Sequence, residues 1–269
     1  MKFTAAAVVA ALVLSGGAMI ARHSSAPFDS GSQSPRVPVL AELFTSEGCS
    51  SCPPADDLLR HLLEKQPIDG VEVIAISEHV DYWNRLGWRD PFSSAQFSER
   101  QSEYARAFAS GQIYTPQLVV AGHIDAIGND ADAVRRALLD AAGDARATVS
   151  VSASGAAGGQ ASVRVVVSQL PAQAASSTIG VVVAVVEDGL VTDVPRGENA
   201  RKRLRHDAVA RVLSPIGTLL PSSSGGEFNR LIDLAGAGAS HQLRVVAFLQ
   251  DRKTLAVVGV GSTVMVDPR

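Results

Sequence analysis

The stretch Thr45-Ser46-Glu47-Gly48-Cys49-Ser50-Ser51-Cys52-Pro53-Pro54 holds both cysteines of the 269-residue chain, two residues apart. An apolar run, Val37 to Phe44, precedes it, and behind it Leu58, Leu59, Leu62 and Leu63 recur at the three-and-four spacing of one helix face. The spacing predicts a strand, a turn and a helix. Pro53 and Pro54 belong in the first helical turn, because prolines deeper in a helix remove needed hydrogen bonds. Asp56 and Asp57 then fall where acids suit the helix dipole. This placement puts Cys49 just ahead of the helix, exposed at its positive end, where free N–H groups and the dipole favour the reactive thiolate.

Downstream, Gly70 breaks the chain and Val71 to Ser77 reads as a second strand rich in β-branched residues. A long amphipathic segment follows Asp90-Pro91 and runs to Ala109, with Phe97, Tyr104 and Phe108 among polar residues. Tyr114-Thr115-Pro116-Gln117 leads into a third strand, Leu118 to Ala121, and a short fourth, His123 to Ile127. Asn129-Asp130 caps a helix over Ala131 to Ala142, with Val134, Leu138 and Leu139 as its apolar stripe.

From Ala147 the period changes to two, with Val149, Val151 and Ala153 and then Val163, Val165 and Val167 across a Gly-rich turn, the pattern of antiparallel strands. Further strands are expected at Ile179 to Val186, Leu243 to Gln250 and Leu255 to Val260. Gly197 to Leu213 fits helix or strand equally well.

The first residues combine a basic Lys2, an apolar centre from Ala5 to Leu14 and small residues at Gly16-Gly17-Ala18, as in an export signal. An uncleaved N-terminal anchor is the alternative, but the apolar centre is shorter than the ~20 residues a spanning helix needs, which argues against it, and no membrane span is expected once the signal is removed. A periplasmic or secreted location follows, in an oxidising compartment where a cysteine pair can exist as a disulfide. The expected divisions are a signal peptide over 1–26, a linker over 27–36, a first domain over 37–145 and a second over 146–269. A formal charge of −3 lacks the basic excess of a nucleic-acid binder.

Cys49-Ser50-Ser51-Cys52 resembles the redox motif of the thioredoxin-like superfamily, and Thr115-Pro116 looks like its cis-proline loop. The order strand, Cys-x-x-Cys turn, helix, strand, helix, hairpin, helix is that of the same fold, over Val37 to Ala142. FTSEGCSSCPPADDLL, HVDYWNRLGWRDPF and YTPQLVV together resemble a family of secreted thioredoxin-like proteins known only as domain of unknown function 1223, and GENARKRLRH extends the likeness into the second half. The fold class this implies is an α/β thioredoxin-like domain followed by an all-β, antiparallel sandwich-like domain. The implied function is thiol-disulfide exchange on protein substrates or a redox partner, with no cofactor. Cys49 would attack, Cys52 would resolve the mixed disulfide, and Thr115 and Pro116 would lie against the sulfurs. The Ser50-Ser51 dipeptide departs from the commonest redox pairs in lacking both proline and histidine.

Glu78 to Trp88 follows the second strand and contains both tryptophans. Trp83 and Trp88 are candidate walls of a substrate groove, and His79 or Asp81 a candidate proton carrier. The plainer alternative has the rings covering the sheet and Asp81 capping a turn. Glu47 is close enough to tune the thiols. Arg196, Arg201, Lys202, Arg203, Arg205 and Arg211 surround Glu198, Asn199, His206 and Asp207; this basic run is either a solvated face or a loop that docks on the first half or binds an anion. A binding or scaffolding protein with a structural disulfide is the alternative function. Copper(I) delivery, with His79 and His123 as added ligands, is another, although two thiolates alone make no metal site.

Overall fold

β1 (Val37–Thr45) is apolar on both faces, and it lies inside a sheet covered on both sides. Val39, Ala41 and Leu43 point one way; Leu40, Glu42 and Phe44 point the other. The structure is a computed structural model, and it describes residues 1–2, 36–108, 111–234, 237 and 242–266. The expected signal peptide and linker lie outside the described residues, apart from residues 1–2 and Arg36. From Arg36 onward the described chain falls in one compact unit, Ser34–Arg269.

Cys52 occupies the N-cap position of α1 (Pro53–Lys65), with the two prolines in the first turn and Leu59 and Leu62 on the buried stripe. β2 (Val71–His79) runs parallel to β1 in a register that sets Thr45 opposite His79, so both strands end at the cysteine turn. A short 3-10 turn at Asn84–Leu86 precedes α2 (Ala95–Ala107), whose N-cap Ser94 accepts from the N–H of Gln96. β3 (Gln117–Val120) pairs antiparallel with β1, and β4 (Ile124–Ile127) with β3. α3 (Ala131–Ala142) starts at the Asp130 cap, which accepts from the N–H of Ala133. α1 and α3 cover the Val39 face, while Phe97 of α2 packs on the Leu40 face.

Among the described residues the second half contributes strands and one 3-10 turn at Ala174–Ser176: β5 (Thr148–Ala156), β6 (Gln160–Ser168), β7 (Ile179–Glu187), β8 (Leu190–Asp193), β9 (Arg203–His206), β10 (Val209–Leu219), β11 (Gly226–Asp233), β12 (Leu243–Asp251) and β13 (Val257–Val264). The ambiguous Gly197 to Leu213 segment becomes a loop, β9 and the start of β10.

The expected fold class, an α/β thioredoxin-like domain followed by a sandwich-like β domain, is not the one formed. Among the described residues the chain has 13 strands against three α-helices, and eight of the strands make one mixed sheet in the order β13-β12-β7-β10-β2-β1-β3-β4. The join is at β2, where Val209 of β10 pairs parallel with Ser77 and the Ser77 N–H donates to Ala208 O at 2.7 Å. Without β10, β2 would be an open edge with unpaired backbone groups. Its Ile74 and Ile76 share a core with Val246 and Phe248 of the second half. At about 1.5–3 kcal/mol for each fully buried side chain, these four are worth an amount comparable to a domain's whole net stability. Burying that surface favours one continuous sheet over two separate bodies.

The small sheet β11-β6-β5 packs over the β7-β10-β12 end of the large one. The ribbon β8-β9 sits apart and brings His206 against α1. Among the described residues no helix is long and apolar enough to cross a membrane.

Candidate functional site

The chain leaves β1 at Thr45 and folds into a tight turn, with Cys49 N–H donating to Ser46 O and Cys52 N–H to Cys49 O. Cys49 and Cys52 are joined by a disulfide, their Cα atoms 5.5 Å apart. Ser50 and Ser51 are exposed, but both cysteines are wholly buried. The expectation of an exposed Cys49 is therefore corrected. Its sulfur lies 3.9 Å from Thr115 O and 3.3 Å from the Ser51 hydroxyl, and the loop between β8 and β9 covers the turn's other side.

Thr115-Pro116 is a cis peptide immediately before β3, which places it beside the end of β1. Gly128 sits behind the proline and donates its N–H to Pro116 O at 2.9 Å. A Cβ at Gly128 would come within 2.8 Å of Leu43 and 3.2 Å of Pro116, so a side chain enters there only if these neighbours shift. Trp83 donates from Nε1 to Thr115 Oγ1 at 2.9 Å, and its Cβ fills the space beside Gly48. Trp83 thus does border the cysteine turn. Trp88 has a different task, donating from Nε1 to the Glu47 carboxylate at 2.7 Å.

Below the turn lies a buried polar network. Glu47 is wholly buried, with His206 Nε2 3.2 Å from one carboxylate oxygen and Trp88 on the other, while its N–H donates to Asp90. His79, also wholly buried, places Nδ1 2.7 Å from Asp90 Oδ2, and its ring meets that of His206 edge-on at 4.8 Å. Phe92 packs against both rings. Burial pushes Asp90 upward, but His79 and the N–H groups of Glu47 and Phe92 outweigh it and hold Asp90 below the usual carboxylate range.

Asp56, one helical turn beyond Cys52, accepts from Thr45 Oγ1 at 2.9 Å and lies 3.6 Å from His206 Nδ1. Burial raises its pKa from 3.8 to about 7, with His206 and Thr45 pulling the other way. It also lines a surface cavity of about 410 Å³ together with Pro53, Asp57, Lys202 and Arg205, which connects it to water. The i, i+4 spacing puts Asp56 on the same helix face as Cys52.

The segment after β8 completes the site. Asn199 is buried and donates from Nδ2 to Glu47 O at 2.8 Å and to Cys49 O at 2.9 Å, while the exposed Glu198 accepts from Ser50 N–H at 3.0 Å. Gly197 lies against Trp88, so closely that a Cβ would be 3.1 Å from that side chain. The basic run therefore docks on the first half, one of its two sharper readings. Lys202 donates to Asn199 Oδ1, Arg203 pairs with Asp193, and Arg211 reaches Glu187 and the Phe92 ring.

Of the residues expected at the site, Cys49, Cys52, Thr115, Pro116 and Trp83 come together. His79 and Trp88 join through the network under the turn, at one remove from the sulfurs. Asp81 does not join: its carboxylate and N–H are both taken by Ser98 Oγ of α2. His123 is separate too, with Nδ1 2.9 Å from Ala121 O and Nε2 3.4 Å from Asp144. Among the described residues no group of three or more His, Cys, Asp and Glu could hold a metal ion.

Asp56, read from sequence only as an acid suited to the helix dipole, and Asp90, His206 and Asn199 are functional-site residues that the sequence did not assign to the site. The cue for the last two was an Asn and a His amid arginines, residues that a merely solvated face does not require. A second buried ionic group lies on the α2 face, where Arg100 serves Glu42, Glu78 and the Tyr104 hydroxyl. It is packed between α2 and Gln250 of β12 and ties the two halves together.

A family model described as "Protein of unknown function (DUF1223)" matches residues 40–250. Among solved structures the chain is similar to protein AGR_C_4864 from Agrobacterium tumefaciens, at 26% identity and a TM-score of 0.65, covering 87% of this chain and 96% of that one. It is also similar in fold to HBP35 of Porphyromonas gingivalis, at 15% identity and a TM-score of 0.63, covering 87% and 78%. Comparison with curated proteins found no match.

Proposed function

We propose that this chain, which belongs to the DUF1223 family of proteins of unknown function, is an exported thiol-disulfide oxidoreductase acting on protein thiols or disulfides. The observation that carries the reading is the Cys49–Cys52 disulfide at a helix start with the Cys49 sulfur 3.9 Å from Thr115 O, and Asp56, one helical turn beyond Cys52, has its pKa raised by burial to about 7. The site resembles those of thioredoxin-like redox proteins in its motif and facing proline. Two buried cysteines that served only as a bridge would need no titratable acid one turn along the helix. So short a closed loop also constrains little of the unfolded chain, which makes a purely stabilising bridge a weak device.

In the reducing direction the Cys49 thiolate attacks one sulfur of a substrate disulfide, forming a mixed disulfide and releasing the first substrate thiolate. Cys52 then gives its proton to the Asp56 carboxylate, attacks the Cys49 sulfur and expels the second substrate thiolate. Two electrons pass to the substrate and the Cys49–Cys52 bond re-forms. Asp56 suits the proton step because its pKa lies near neutrality and the adjoining cavity lets it return the proton to water. Trp83 and Thr115 hold the facing loop in place. Because Cys49 is wholly buried, its cover has to yield before a substrate sulfur can enter.

The test is reduction of a protein disulfide by the purified chain with dithiothreitol as electron donor. The wild type is expected to accelerate it, Cys49→Ser to abolish the acceleration, and Cys52→Ser to hold substrate as a mixed disulfide. Equal rates for wild type and Cys49→Ser would leave the pair as a structural bridge.

A further inference from the structure

Glu198 belongs to the second half of the chain, yet its carboxylate accepts the N–H of Ser50, the residue next to Cys49, at 3.0 Å. The Ser50 hydroxyl binds it as well, and together these contacts hold Glu198 below the usual carboxylate range, so it is an anion at neutral pH. Glu198 makes no ion pair among the described residues to cancel that charge, although it sits in a run of arginines. Asn199, the next residue, is anchored to Glu47 O and Cys49 O, so the carboxylate is held over the turn by a buried neighbour.

The value of that one N–H is high here. A helix start ordinarily offers several free donors to a thiolate, but the first two positions of α1 are Pro53 and Pro54, which have none. The next two N–H groups, those of Ala55 and Asp56, point back to Cys52 O at 2.8 and 3.1 Å. Beside Cys49 this leaves the Ser51 hydroxyl, 3.3 Å from its sulfur, and the Ser50 N–H among the available donors, and an anion already occupies the latter.

We infer that Glu198 sets the redox balance of the cysteine pair, by disfavouring the Cys49 thiolate through like charge and by taking the donor that would stabilise it. This rests on the exchange reading of the same site and names the residue that tunes it. The half-reaction is the protein disulfide plus two glutathione thiols giving the dithiol and one glutathione disulfide, with two electrons entering the Cys49–Cys52 bond. Glu198 weights that equilibrium toward the disulfide, and it raises the pH at which the attacking thiolate forms in the reduced protein.

The experiment equilibrates the full chain with glutathione or dithiothreitol buffers, reads the reduced fraction by thiol alkylation and mass, and follows Cys49 ionisation by thiolate absorbance in the Cys52→Ser background. Glu198→Gln keeps an acceptor but not the charge, and Glu198→Ala removes both. Both are expected to shift the equilibrium toward the dithiol at pH values where the Cys49 thiolate is populated, up to roughly tenfold for Glu198→Ala, equivalent to about 30 mV for this two-electron couple. The Cys49 thiol should ionise at lower pH in both variants, and Glu198→Asp should restore part of the difference. Wild-type values in both variants, or a shift in Glu198→Ala alone with Glu198→Gln unchanged, would overturn the electrostatic role. The readouts come from the protein's own thiols, so a chain without activity on protein disulfides still gives the answer on Glu198.

Discussion

The side-chain amide of Asn199 donates to the carbonyl oxygen of Cys49 at 2.9 Å, across 150 positions of sequence, and to that of Glu47 at 2.8 Å. A residue of the second half thus closes the turn that carries the disulfide. Asn199→Ala would leave the buried Glu47 carbonyl without this donor and Cys49 O with the Cys52 N–H alone, a loss of roughly 1–3 kcal/mol. The variant should lose stability in that range by urea unfolding, and its disulfide should be reduced faster by external thiol. Unchanged stability together with unchanged reduction rate would show that the loop does not hold the turn.

Asp56→Asn probes the buried acid. Because burial raises the pKa of Asp56 from 3.8 to about 7, the folded state favours the protonated form. The stability this contributes is full below about pH 4, where the unfolded chain also binds the proton, and is lost as pH rises through about 7. Asparagine cannot ionise, so the variant should gain on the wild type between those limits, by at most on the order of 4 kcal/mol, less to the extent that the adjoining cavity lets water reach the carboxylate. The groups facing Asp56 are His206, Thr45, Asp90 and Asp57. Urea midpoints at pH 4.5 and 7.5 check the sign, and a pH-independent difference would contradict it. Under the proposed mechanism the variant also resolves mixed disulfides more slowly at pH 7.

Arg100→Met removes the cation from between Glu42 and Glu78, both wholly buried. Burial already pushes Glu78 well above the usual carboxylate range despite Arg100. Loss of the guanidinium should cost about 3–5 kcal/mol, because it leaves an uncompensated buried charge. A Glu42→Gln, Arg100→Met double variant should recover part of the loss, and urea unfolding of the three proteins measures it.

Gly128→Ala places a methyl group 2.8 Å from Leu43 and 3.2 Å from Pro116. Over-packing of this kind typically costs about 1–3 kcal/mol. Since the clash pushes on the loop facing the sulfurs, the variant should also slow disulfide exchange more than an equally destabilising change elsewhere. Alanine at the exposed Gly143, which caps the end of α3 far from the sulfurs' facing loop, is the comparison; its methyl group would lie 3.3 Å from the Asp140 carbonyl oxygen.

Local elements were well marked in the sequence. α3 runs over Ala131–Ala142, as its Asp130 cap indicates, with Val134 and Leu138 of the expected stripe buried but Leu139 exposed, and α1 begins at the two prolines. Long-range pairing was not marked. Nothing in VEVIAIS says which strand lies beside it, so the pairing of Ser77 with Val209 was invisible and the chain read as two domains. The burial of Cys49 went unseen for the same reason, since its cover comes from Thr115, 66 positions away, and from the Glu198-Asn199 loop.

By itself the sequence determined the cysteine turn: two cysteines at a helix start, prolines that set where the helix begins, and an x-Pro bond before an apolar strand. These follow from covalent geometry and local hydrogen bonding, which act over a few residues. Only the tertiary structure decided that β10 continues the sheet past β2, that Asp56 is buried enough to titrate near pH 7, and that Glu198 occupies the N–H beside Cys49. Each of these depends on desolvation or on contacts between distant segments, and both are fixed by how the whole chain excludes water.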